Sequence, residues 1–377
     1  MSLTANAPDA FDRAAVDKLS ARIQRDVDSG LLPAAQFALA RDGEIIESQV
    51  FGTAGPDTRF CLFSATKPLV AATVWRLIGD GALDPALPVT TWFPEFGANG
   101  KQDITLEQVM LHQSGFPYAP MGPAVWGERA SRRDKMASWR LNWEPGTRYE
   151  YHPTAAHWVQ AELIEIVTGM DFRDAVEELV TQPLGLPRLL GLPLDDQDDI
   201  ADLVLVGEPA TSDELMAAFG VPALPATEVT DEAVIRFNEP EARAVGVPGG
   251  GGFARAVDMA TFYQRLLHGQ DDVWPPDLRR DVTTRVRNRL PDPAGVPANR
   301  SLGLILAGDD GWSHARGMGR TVSPGTFGHN GAGGQICWAD PATGLSFAFL
   351  TNGYDRHEVR QPKRTTAIAS LAAVTVS

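Results

Sequence analysis

The 377-residue chain holds only two cysteines, Cys61 and Cys337, far apart and each in apolar surroundings. Two buried free thiols are expected, with no disulfide framework. No apolar run approaches the roughly 20 residues needed to span a bilayer, so no membrane insertion is expected. Residues 1–13 lack a basic segment followed by an apolar stretch and do not read as a secretory leader, which makes a soluble, cytoplasmic protein the expectation. No His/Cys/Asp/Glu cluster has metal-ligand spacing, and neither metal nor cofactor is expected. Positive charge is scarce as well. With 33 Lys and Arg against 48 Asp and Glu, the net charge of −15 argues against nucleic acid and against anionic membrane surfaces. A Gly-x-Ser-x-Gly elbow is missing, which argues against an α/β-hydrolase. The run Gly249-Gly250-Gly251-Gly252 has no following Lys-Ser/Thr, so it reads as close backbone packing or a cleft wall rather than a phosphate loop.

What is present is ordinary for a globular protein: 44% hydrophobic and 21% charged residues, in a chain long enough for a large core. Apolar residues Phe11, Val16, Leu19, Ile23 and Val27 recur at near-helical spacing. Residues 34–41 and 44–51 read as strands joined by the two-residue turn Asp42-Gly43. Residues 76–115 look helical with breaks, ending in a helix over 105–115 closed by Gly115. The Trp-rich stretch 116–143 suggests an ordered wall or lid, and a helix is expected over 154–167. Residues 195–245 read as a long insertion with a short helix near 212–219 and no assignable chemistry. A helix is expected over 257–267, strands over 302–307, 335–340 and 345–352, and a closing helix from Arg360. Strands from both chain ends must share one antiparallel sheet, since neither set alone could bury its faces. The expected fold is therefore α/β (α+β). An antiparallel sheet lobe from residues 1–75 and 290–377 is flanked by helices, and 76–289 form a mostly helical lobe carrying the 195–245 insertion.

The chemistry centres on Ser64-Ala65-Thr66-Lys67. Positions three apart share a helix face, so the Lys67 amine can reach the Ser64 hydroxyl and take its proton. Free N–H groups at a helix start also favour an oxyanion at Ser64. Of the five lysines, only Lys67 has a serine three residues before it. Read alone, the tetrapeptide equally fits Ser64 as a helix cap and Lys67 in solvent. Two further segments follow in order, Tyr151-His152-Pro153 and His329-Asn330-Gly331.

This order, with the Pro145-Gly146-Thr147 turn and the run Phe327-Gly328-His329-Asn330-Gly331-Ala332-Gly333-Gly334, resembles the serine β-lactamase-like superfamily. It is most similar to the class C β-lactamase-related family VIII carboxylesterases. The likeness extends over nearly the whole chain and implies a β-lactamase/transpeptidase-like fold. It implies Ser64 as acylated nucleophile, Lys67 as its proton partner, and Tyr151 as sharing the general base and acid role. Free lysine and tyrosine both titrate near 10, so one of the pair must be held lower to accept a proton at neutral pH, and the two act as a coupled unit. His329, Asn330 and Gly331 match the Lys-Thr/Ser-Gly strand motif, and the Ala332 N–H with that of Ser64 would form the oxyanion hole. His152 is kept only as a residue supporting the site from behind; His112 is read as structural. Pro153 stands where β-lactamases carry Asn, and His329 where they carry Lys. Both changes remove polar groups that would hold a β-lactam, and they favour a small-molecule ester substrate. Acyl transfer, amide or β-lactam hydrolysis, and a catalytically silent scaffold are the alternatives. Whether the protein is a monomer or a homodimer is left open.

Overall fold

The computed structural model describes residues 11–224, 229–269 and 272–376. The leader reading of residues 1–10 and a short part of the insertion, 225–228, lie outside the described residues. In chain order, the elements that frame the molecule begin with helix α1 (Arg13–Asp28), strands β1 (Ala34–Arg41) and β2 (Glu44–Gly52), and helix α2 (Lys67–Gly79). Helices α3 (Leu106–Met110), α4 (Ala155–Thr168), α5 (Ser212–Phe219) and α6 (Ala256–His268) follow. The chain closes with strands β3 (Ile305–Leu306), β4 (Phe327–Gly328), β5 (Ile336–Asp340) and β6 (Leu345–Thr351), then helix α7 (Arg360–Ala372).

One six-stranded sheet, in the order β2-β1-β6-β5-β4-β3, joins the two ends of the chain with every pairing antiparallel. Its two faces follow from the period of two in strand side chains. On β1, Ala35, Phe37 and Leu39 point to one face, where they meet Phe347 and Phe349 of β6, Val16, Leu19 and Ile23 of α1, and Ile368 and Ala372 of α7. The opposite face of the same strands carries the small Ala34, Ala38, Ala40 and Ala348, and these let α6 lie close against the sheet. Asp42 and Gly43 both take left-handed backbone angles (φ 53° and 85°), the signature of the two-residue hairpin that matches strand twist. The edge strand β2 carries the exposed Glu44 and, half-buried, Glu47, which pairs with Arg13 of α1 at 2.7 Å; such charges discourage pairing with another chain.

Helix α2 is buried from Lys67 to Trp75, where it packs against α4, and surfaces only at its last turn. Trp75 donates its indole N–H to the Leu302 carbonyl at 2.7 Å, and Trp274 donates to the Ala72 carbonyl at 2.9 Å, so the buried polar tips are satisfied. Two expected elements are shorter than the sequence suggests. Of residues 105–115 only Leu106–Met110 is helical, started by the Thr105 capping box and ended where His112 turns left-handed (φ 56°). Of residues 302–307 only β3 is strand, because the Gly303 backbone turns left-handed (φ 95°) against Ala71 of α2. Both cysteines are buried free thiols, and burial pushes both upward, Cys61 to about 12. No helix among the described residues is long and apolar enough to cross a membrane.

Gln264 on α6 ties the helix to the sheet. Its amide donates to the carbonyls of Ala40 (2.8 Å) and Gly344 (3.0 Å) and to the Ser346 hydroxyl (3.1 Å), while its oxygen accepts from the Gly43 N–H (2.9 Å). Gln264→Leu strands these buried groups, and a loss of about 2 kcal/mol or more is expected. A urea midpoint unchanged from wild type would contradict this.

Candidate active site

Ser64 lies not on the regular helix but in the 3-10 turn Phe63–Thr66 just before it. The turn is entered through Phe63, whose φ of 45° is a left-handed angle that costs a residue with a Cβ roughly 1–3 kcal/mol. Packing holds that angle: the Phe63 ring sits edge-on to Phe237 (5.9 Å between centroids) and Tyr354 (5.8 Å).

Lys67, 1% exposed, reaches Ser64 Oγ with its Nζ at 3.2 Å. The same Nζ donates to the carbonyls of Pro153 and Gly249, each at 2.6 Å. The glycine run thus forms a wall of the site. A Cβ on Gly249 would stand 2.8 Å from the Pro153 oxygen and 3.5 Å from Lys67 Nζ, which explains why that position takes no side chain. Pro153 holds Lys67 through its carbonyl, so the position contributes backbone chemistry where a side-chain amide had been the comparison.

Tyr151 packs against two basic side chains. Lys67 Nζ lies 5.0 Å from its ring centroid and the Arg300 guanidinium 5.1 Å from it, with the rings of His112 at 4.8 Å and His329 at 6.2 Å. His329 directs Nδ1–H to the Asn330 carbonyl (2.7 Å), and its Nε2 faces Arg300 Nη1 at 3.4 Å. Those partners assign its proton to Nδ1 in the neutral ring. Gly331 follows, and a Cβ there would overlap the Leu62 carbonyl oxygen. The glycine therefore permits the 329–332 segment to close on the turn bearing Ser64, bringing Ala332 and Ser64 to the wall of one cavity.

Behind Tyr151 lies a set of buried histidines. His152 donates Nδ1–H to the Glu150 carbonyl (2.6 Å) and accepts the Phe116 N–H at Nε2 (3.2 Å), with Ser114 Oγ also 3.2 Å away. His112 Nδ1 accepts the His152 N–H at 3.2 Å. The pair locks the Tyr151 segment onto the turn after α3, so His112, read from sequence as merely structural, borders Tyr151 directly. Burial pushes His152 from 6.5 down to about 4, opposed by its bond to Glu150. Burial, then the charges of Arg300 and Lys67, hold His112, His157 and His329 well below the usual histidine range.

Two cavities meet at Ser64. One, about 370 Å³, is walled by Phe63, Met121, Trp126, Val234 and Phe237. The other, about 440 Å³, has a mixed lining that includes Tyr149, Tyr151, Arg300 and His329 together with Val296 and Ile305. Sequence reasoning singled out Ser64, Lys67, Tyr151, His152 and 329–332, and the fold brings all of them together. It missed Arg300, which belongs to no motif, and Phe237 in the insertion, which had been assigned no chemistry.

The beta-lactamase family profile matches residues 19–372. The chain is 30% identical over 323 residues to the esterase/beta-lactamase LipL of Mycobacterium tuberculosis, covering 78% of this chain and 70% of that protein. It is 29% identical over 385 residues to the esterase EstB of Burkholderia gladioli, covering 92% and 93%. A crystal structure of a family VIII carboxylesterase superposes with a TM-score of 0.75 at 25% identity, covering 96% of this chain and 99% of that one.

Two outcomes are expected. Histidines of the unfolded chain take up protons near pH 6.5 while the buried ones do not, so below that pH the unfolded state binds more protons and stability falls as pH drops. The effect of His152 alone grows to roughly 3 kcal/mol by about pH 4. Urea midpoints that stay level between pH 7.5 and 5 would contradict it. Gly331→Ala should displace Ala332 from Ser64 and lower turnover by about tenfold or more, measured as kcat with the melting transition as a fold control.

Proposed function

The chain belongs to the beta-lactamase family, and on that premise we propose that it is a serine carboxylesterase cleaving small or medium esters through an acyl-enzyme on Ser64. The observation that carries the reading is Lys67 Nζ at 3.2 Å from Ser64 Oγ, with Tyr151 against the same amine. A neutral Lys67 amine has two N–H groups, which match the Pro153 and Gly249 carbonyls, and a lone pair toward Ser64. Ser64 Oγ attacks the ester carbonyl as its proton passes to the Lys67–Tyr151 pair. The backbone N–H groups of Ser64 and Ala332 receive the developing oxyanion. The acyl–oxygen bond then breaks, and the leaving alkoxide takes the proton from the pair. Water enters on the same side and gives a proton to the pair as its oxygen bonds the acyl carbon; the bond from that carbon to Ser64 Oγ then breaks, the acid leaves, and the pair returns the proton to Ser64. Once Lys67 holds the proton, it and Arg300 both lie close to the Tyr151 ring, at 5.0 and 5.1 Å from its centroid.

The relatives' names support ester cleavage, and the apolar cavity beside Ser64 suits an acyl chain. Pro153 offers no side-chain amide to a β-lactam's acyl amide, which places β-lactam hydrolysis second. Hydrolysis of p-nitrophenyl acetate, butyrate and octanoate should be abolished in Ser64→Ala and fall about 1000-fold in Tyr151→Phe, with nitrocefin turned over at least about tenfold more slowly than the best ester. A stoichiometric burst without turnover would replace hydrolysis with acyl transfer to an absent acceptor. No reaction and no labelling by a fluorophosphonate would overturn the enzyme reading.

A further inference from the structure

An oxyanion held by two backbone N–H groups needs both donors at about 3 Å from one oxygen. Here the two donors, of Ser64 and Ala332, sit on segments remote in sequence. Among the described residues no hydrogen bond ties residues 62–64 to residues 329–334, so packing sets the gap between the donors.

One contact that sets it is backbone on backbone. A Cβ on Gly331 would overlap the Leu62 carbonyl oxygen, so the two segments touch there with no side chain between them. A single point of contact leaves the segments free to pivot about it. The second point is Tyr354. Its ring lies 5.8 Å from that of Phe63, edge-on at 63°. Its Cδ2 also comes so close to Gly333 that a Cβ on the glycine would stand 2.9 Å away. Phe63 immediately precedes Ser64, and Gly333 immediately follows Ala332. One ring therefore rests against the residue adjoining each donor.

The ring stands on a fixed base. Tyr354 lies in the short strand Gly353–Asp355, which pairs in parallel with Val204–Val206 of the insertion. The next residue, Asp355, is buried and accepts from Arg360 Nη2 at 2.7 Å and from Arg364 Nη1 at 2.9 Å, both on α7. Tyr354 lines neither cavity at Ser64, so substrate does not meet it. Its hydroxyl makes no hydrogen bond among the described residues, which leaves the ring as what the site uses.

We propose that Tyr354 is a positioning residue, a spacer whose ring sets the distance between the Ser64 and Ala332 N–H groups and so how tightly the oxyanion is held. This rests on the acyl-enzyme reading at Ser64.

The test compares Tyr354→Leu and Tyr354→Phe with wild type on p-nitrophenyl acetate and on its thionoester, in which sulfur replaces the carbonyl oxygen. Sulfur is larger and a weaker hydrogen-bond acceptor, so the preference for the oxygen ester reports on the two donors themselves. Tyr354→Leu should lower kcat on the oxygen ester about 30-fold with KM within about threefold of wild type. The oxygen-to-sulfur ratio in kcat/KM should fall about tenfold. Tyr354→Phe keeps the ring and should match wild type within about twofold. A folded Tyr354→Leu with wild-type kcat or an unmoved ratio overturns the proposal, as does a Tyr354→Phe as impaired as Tyr354→Leu. Where Tyr354→Leu does not fold, Tyr354→Met fills more of the ring's volume and is decided by the same ratio. The rate of Ser64 labelling by a fluorophosphonate, whose phosphoryl oxygen enters the same site, separates this proposal from the esterase reading. Labelling that slows about tenfold in Tyr354→Leu, with no ester turnover by wild type, upholds the spacer and removes hydrolysis. Ester turnover by wild type, with labelling and ratio unmoved in Tyr354→Leu, does the reverse. A wild type inert to ester and label overturns both.

Discussion

The site depends on one buried amine. Lys67 joins three stretches of chain that are remote in sequence: the Ser64 turn, the Pro153 carbonyl after Tyr151, and the Gly249 carbonyl of the glycine run. An ammonium or amine with no water around it must spend its donors on protein acceptors, or its burial becomes too costly. Each of the three contacts therefore fixes where the others lie. The helix that carries Lys67 is in turn pinned by Trp75 to the Leu302 carbonyl, just after Arg300 in the chain. Nucleophile, proton partner and the cation beside Tyr151 thus share one rigid frame.

Around that amine the fold keeps positive charge and neutral histidine together. His112, His152, His157 and His329 hold few protons because burial, and for His112, His157 and His329 the nearby charges of Lys67 and Arg300, oppose further positive charge. Neutral imidazoles serve here as partners of backbone donors and acceptors, joining the turn after α3 to the Tyr151 segment. The arrangement holds Tyr151 in place without adding charge next to it. The same desolvation raises the effect of the charge that remains, since an interaction in a low-dielectric setting is weakened less than one in water.

The insertion and the Trp-rich stretch give the site its shape. Met121 and Trp126 on one side, with Val234 and Phe237 on the other, make the apolar cavity, and Phe63 bridges it to Ser64. The left-handed angle at Phe63 is maintained by its ring contacts with Phe237 and Tyr354, so the wall of the cavity and the backbone that aims the nucleophile are one packing unit. A long surface segment with weak periodicity thereby contributes to both binding space and nucleophile geometry.

Much of this was legible in the sequence, for reasons that are local. The apolar run in residues 34–41, the Asp42-Gly43 turn and the short helix over 212–219 are carried by neighbours a few positions apart, and each element stands where the sequence suggests it. Ser64 and Lys67 are three apart and needed only a helical turn to meet. Tyr151 and the 329–332 segment were reached through ordered motifs and their likeness to a family, not through any local rule. Other features were decided by tertiary structure alone. The helix over 105–115 stops early because His112 is turned into the histidine set. The 302–307 strand shortens because Gly303 packs on Ala71. Arg300 has no signature in its neighbours; only the fold brings its guanidinium to the Tyr151 ring, because reach across the fold is not a property of sequence separation.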